Sequence, residues 1–224
     1  MPGPPSRRDR AAWGLLLAAA CFAAYANGLT GTFTYDDKAI IRDNLRIRTP
    51  DRVSELFTTQ YFGGPRGTGT NYRPVLLLSY AAQWWVHGRE AMAFHAVNLL
   101  LHVAATLLLG SLLLAIGFGA AETGLATLLF AVHPIHVEAV TSLVGRGETL
   151  TAVLVLGFLH ACIGFAAGGR GRWPKLAAAV LLYALALLTK ESAAVAPALL
   201  FLALLWREPG AFGERLASSL KKCA

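Results

Sequence analysis

The chain alternates between long apolar runs and short polar or basic joints. The runs cover 11–26, 94–116, 124–144 and 150–167, and each reaches or approaches the about 20 residues that carry a helix across a bilayer. Two shorter runs, 176–188 and 193–206, meet at Lys190 and Glu191. They read as two short spans joined at that pair, with one long helix carrying the pair at mid-membrane as the alternative. The run at 74–86 is too short to span, and Trp84 and Trp85 at its end give it the character of an interfacial or re-entrant segment. The stretch 27–73 is polar, with a turn at 63–67 and a short amphipathic helix at 51–59 placing Val53, Leu56 and Phe57 on one face. The pattern therefore predicts an all-α, polytopic transmembrane bundle of about six spans, with a long first outer loop carrying interfacial helices.

Composition agrees with this pattern. Of 224 residues, 55% are hydrophobic and 15% charged, against roughly 25% charged in soluble domains. The mean hydropathy is +0.52. The net charge of +7 sits mostly in joints between apolar runs, which suits a membrane surface and excludes a nucleic-acid partner. Cys21 and Cys162 lie inside apolar runs and Cys223 near the end, so neither a disulfide framework nor a zinc spacing is present.

Three segments follow: a basic cytoplasmic N-terminus at 1–10, a membrane domain at 11–206, and a polar tail at 207–224 that reads as a truncated end. Ala24-Tyr25-Ala26 has the form of a signal-peptide cleavage site, but a retained first helix is favoured because later spans need orienting. With the N-terminus cytoplasmic, Arg170, Arg172, Lys175 and Arg207 also fall inside, as the positive-inside rule asks.

That topology sends the ionisable residues to one face. Asp36 and Asp37 open the outer loop, and His133, His136 and Glu138 end the third run. Arg146 and Glu148 follow it, and Lys190 and Glu191 join the last two runs. His95, Asn98 and His102 share one face of the second span. Ionisable groups at membrane depth cost several kcal/mol unless they face an interior or a watery cavity, so the convergence predicts an outward polar pocket. Carboxylates beside basic groups suit deprotonation of a hydroxyl and stabilisation of an anionic leaving group. Each piece has a plainer reading: Asp36-Asp37 as a solvated turn, Lys190-Glu191 as a loop ion pair, the histidines as interior hydrogen-bonders. His133 and His136 raise a divalent metal, but Glu138 is poorly placed as a third ligand. No metal site is assigned, and the cofactor stays open.

Phe33-Thr34-Tyr35-Asp36-Asp37, Tyr72-Arg73-Pro74, Phe94-His95 through Asn98 to His102, and the 129–140 segment with His133-Pro134-Ile135-His136 recur in a recognisable order, followed by Gly145-Arg146, Glu148 and Leu187-Leu188-Thr189-Lys190-Glu191-Ser192. In this the chain resembles the N-terminal part of GT-C membrane glycosyltransferases, and is similar to the transmembrane-and-tetratricopeptide-repeat protein O-mannosyltransferases and their bacterial relatives. The resemblance implies an enzyme that moves a sugar, mannose by analogy, from a polyprenyl- or dolichyl-phosphate carrier to an acceptor hydroxyl of a protein or glycan. It implies a site facing outside or the lumen, in a bacterial inner membrane or the endoplasmic reticulum membrane. Asp36 or Asp37 would be the base. His133, His136, Arg146 and Lys190 would contact the donor phosphate, with Glu138, Glu148, Glu191, His95, Asn98 and His102 lining the pocket. Family members carry more spans, often a repeat domain, and often Asp where Glu148 stands here. A transporter or flippase of a lipid-linked substrate, or a non-catalytic scaffold, is the alternative.

Overall fold

A computed structural model describes residues 6–63, 71–169 and 171–207, and these are helical with no strand among them. The turn expected at 63–67 falls, beyond Gly63, outside the described residues, as do Arg170 and the tail after Arg207. The first helix, α1 (Arg7–Tyr25), starts on a reciprocal cap in which Ser6 and Asp9 bond each other's backbone N–H. The polar stretch that follows folds into short pieces: a π turn at Lys38–Arg42, then α2 (Leu45–Arg48) and α3 (Glu55–Thr58). Next come α4 (Pro74–His87) and α5 (Ala91–Ala115), separated by Gly88 at φ 58°. The remaining helices are α6 (Ala120–Val132), α7 (Val137–Thr141), α8 (Arg146–Ala166), α9 (Arg172–Leu187) and α10 (Ala196–Arg207).

About six spans were expected. By length and apolarity three helices qualify, Arg8–Thr30, α5 and α8, and a fourth if α6 and the bent segment Pro134–Thr141 count as one. The bend of 44° follows from Pro134, which disfavours helical backbone at His133 and leaves that residue extended at φ −65°, ψ 128°. With 16 and 12 residues, α9 and α10 are short for a bilayer. They are separate helices rather than one, because the backbone at Lys190 is extended. Trp206 then stacks on Phe118 at 4.8 Å, at the end of the bundle opposite Lys190. The expected helix at 51–59 is instead a 3-10 turn at Pro50–Arg52 and the single turn of α3. Leu56 is buried there, but Phe57 is exposed, so the two do not share an apolar face.

Three apolar clusters hold the chain together. One is a cap over one end of the bundle. Ile40, Ile41, Ile47 and Leu56 from the polar stretch pack on Leu76, Leu77 and Tyr80 of α4 and on Phe94 and Leu143. Arg46 pins this cap with bonds to Thr59 Oγ, the Gln60 carbonyl and the Tyr61 carbonyl at 2.5, 2.8 and 3.0 Å. The 74–86 segment is therefore a lid helix packed on its own protein. The second cluster joins α5, α8, α9 and α10, and the third joins α1, α5 and α6. The capped end is where the polar residues gather.

Candidate functional site

Two adjacent carboxylates open the site, and the fold treats them differently. The chain turns at Thr34–Asp37, with Tyr35 at φ 39°, a left-handed conformation that bulky residues rarely take. The turn sends Asp37 inward, where it is 1% exposed. Its Oδ2 accepts the Thr34 N–H at 3.0 Å and the Thr34 hydroxyl at 3.3 Å, and its Oδ1 accepts the Val144 N–H at 3.0 Å. Asp37 thus ties the first polar stretch to the turn before α8. Asp36 is exposed and lines a cavity of about 680 Å³.

That cavity draws residues from several separate segments at the capped end: Asp36, Arg73, His136, Glu138, Glu148 and Lys190. His102 also reaches it from α5. The His102 Nε2 sits 3.1 Å from the Ala131 carbonyl, and its ring stacks on Phe130 and tilts against His136 at 5.2 Å. Among the described residues, no three His, Cys, Asp or Glu side chains converge as a metal ion would need.

The cations are arranged around the α9–α10 joint. Lys190 and Glu191 do not pair with each other. The Lys190 ammonium bonds Glu148 of α8. Glu191 accepts two bonds from the Arg73 guanidinium, at 3.0 and 2.5 Å. Arg73 also stacks over Tyr61, 5.1 Å from its ring centre. Burial pushes the Tyr61 phenol up to about 12, so it stays protonated beside Tyr80. The Arg73 bonds hold the Glu191 carboxyl below its ordinary value of 4.5. A depressed carboxyl stabilises its contact above the ordinary value and loses it as pH falls through the folded value. Acidification below about pH 4.5 is therefore expected to loosen the joint. Amide exchange at Val75, whose N–H bonds the Leu188 carbonyl at 3.1 Å, will then rise beyond its intrinsic rate. The change should vanish in Glu191→Gln.

Six of the residues singled out in the sequence lie away from the cavity lining: Asp37 and Glu191, described above, and Arg146, Asn98, His133 and His95. Arg146 is 1% exposed. Its guanidinium bonds Asn98 Oδ1 at 3.0 Å and Gln83 Oε1 at 2.5 Å, along with the Ser79 and Phe94 carbonyls, and it lies over the Tyr80 and Phe94 rings. Asn98 completes the knot by donating to the Ser142 and Leu143 carbonyls. His133 is exposed and caps the turn after Pro134, its Nδ1 accepting the Ile135 N–H at 3.2 Å. His95 is buried against Gly31 and Thr141 with neither ring nitrogen in an aligned hydrogen bond. Sequence reading passed over Tyr61 and treated Arg73 only as part of a motif; the proline after Arg73, which starts α4, was the available signal.

These features describe a helical membrane protein whose capped end encloses a cavity carrying carboxylates and cations together. In sequence the chain is similar to protein O-mannosyl-transferases. It is 30% identical over 180 residues to Protein O-mannosyl-transferase TMTC3 of Homo sapiens, covering 79% of this chain and 20% of that protein. It is 38% identical over 165 residues to TMTC1 of Mus musculus, covering 68% and 17%. With Tmtc3 of Drosophila melanogaster it shares 31% over 165 residues, covering 63% and 18%. The chain thus spans about a fifth of the length of the curated relatives it matches. No protein-family model matches it, and no solved structure matches it.

Proposed function

We propose that this chain is the N-terminal catalytic portion of a membrane glycosyltransferase that transfers a sugar, mannose by similarity, from a polyprenyl- or dolichyl-phosphate carrier to a protein hydroxyl at the outer or lumenal face. The observation that carries this reading is the shared cavity, where Asp36 stands with Arg73, Lys190 and His136. Asp36 takes the proton of the acceptor hydroxyl, whose oxygen attacks the anomeric carbon. The bond from that carbon to the carrier phosphate breaks, and the phosphate leaves as an anion. Lys190 and Arg73 are the cations able to receive it, since phosphate calls for charged donors. In the cavity's present state both are occupied by carboxylates, Glu148 and Glu191. The single Lys190–Glu148 pair is partly exposed and worth only about 0–1 kcal/mol, so a phosphate can displace Glu148 at small cost, while Arg73 keeps its two bonds to Glu191 and offers its remaining N–H donors.

Asp37 and Arg146 take supporting roles in this scheme, holding the turns that carry Asp36 and Glu148. A transporter would gather its ionisable groups near the middle of the spans, whereas here they crowd one end. The test is transfer of labelled mannose from a polyprenyl-phosphate donor to a serine- and threonine-bearing acceptor, in membranes containing the protein that carries this chain. Labelled acceptor is the expected result. Absence of label with the protein inserted and folded overturns the reading.

A further inference from the structure

A second hollow lies at the opposite end of the bundle, between α1, α5 and α6. Its volume is about 530 Å³, within the about 300–1,000 Å³ of small-molecule sites. Trp13, Leu17, Leu107, Leu114 and Leu125 make its walls apolar. Glycines open it. Gly124 lies under the Trp13 ring, whose Cζ2 is 3.1 Å from where a Cβ would sit, and Gly14 faces Leu107 Cδ2 at 3.6 Å.

The mouth of the hollow is polar. Arg10 lines it with an exposed side chain that forms no salt bridge among the described residues. Two acidic residues are near. Asp9 is engaged with the Ser6 N–H at 3.0 Å, and Glu122 is an exposed residue in the first turn of α6. Arg8 adds a second exposed cation on α1. Within the wall, Thr123 is 4% exposed and its hydroxyl has no hydrogen-bond partner.

We propose that this hollow binds one anionic phospholipid, with an acyl chain against Trp13 and Leu107 and the phosphate at Arg10. The occupant follows from position and charge. Two of the three membrane-length helices and the first arm of the bent pair form the hollow, so bilayer lipid is the apolar solute it meets. The free cation at the mouth selects an anionic headgroup over a zwitterionic one. The proposal is independent of the glycosyltransferase reading.

The test is native mass spectrometry of the delipidated full chain in detergent, titrated separately with phosphatidylglycerol and phosphatidylcholine. The expected result is one tightly held phosphatidylglycerol and weak phosphatidylcholine. Arg10→Gln should weaken phosphatidylglycerol about fivefold, the effect of one basic residue at an anionic lipid. Ala121→Phe, which fills the hollow from its rim, should abolish retention. Should that variant misfold, the surface change Arg10→Gln decides alone. Equal retention of the two lipids, or undiminished phosphatidylglycerol in Arg10→Gln, overturns the proposal. So does Ala121→Cys cross-linking to a second copy of the chain, which would make the hollow a contact between protein copies.

Discussion

Asp36→Asn is expected to cut sugar transfer by about 10²–10⁴-fold, the usual loss on removing a general base, while expression, insertion and unfolding temperature stay near those of the parent. Asp36 is exposed at a cavity wall and, among the described residues, holds no other side chain in a hydrogen bond or salt bridge, so the isosteric amide removes a proton acceptor and little else. Asp37→Ala separates from it by the opposite signature. Three bonds converge on Asp37, two from Thr34 and one from Val144, and hydrogen bonds to a charged group contribute about 1.5–3 kcal/mol each. Its loss should lower stability by a few kcal/mol and reduce transfer only as far as the folded fraction falls. Assay of both variants after normalising to folded protein decides the matter. Full transfer by Asp36→Asn, with none by folded Asp37→Ala, would reverse the assignment.

Arg146→Ala is expected to cost about 3–5 kcal/mol, the scale on which a buried charged network fails when its centre is removed. Asn98 Oδ1, Gln83 Oε1 and the Ser79 and Phe94 carbonyls would all lose their donor. Arg146→Lys should rescue little, because one ammonium cannot reproduce the planar fork or lie flat over Tyr80 and Phe94. Thermal unfolding in detergent, followed by circular dichroism, measures both. A variant as stable as the parent but weakened in donor binding would instead make Arg146 a phosphate ligand.

The helical class was legible because membrane-length apolar runs have few alternatives. Span number was less legible, since the run at 124–144 conceals the Pro134 bend and the last two runs are interrupted at Lys190. That ionisable groups from distant segments gather at one end was readable as a set; which partner each one takes was not. Asp36 and Asp37 are chemically identical neighbours, and what distinguishes them is that Asp37 turns inward onto Thr34 and onto Val144, the latter more than a hundred positions away. Arg146 looked like a phosphate ligand because its charge is visible in sequence, whereas the aromatic and amide shell that enfolds it comes from α4 and α5. Lys190 and Glu191 looked like a local pair because adjacency was the only proximity on view.

Those two residues take separate partners on separate helices, and this has a mechanical consequence. An anion that draws Lys190 away from Glu148 leaves the Arg73–Glu191 contact in place, so the joint between α9 and α10 keeps its moorings to α4 while its charge changes hands. The cavity can exchange one counter-ion for another without the surrounding scaffold having to let go.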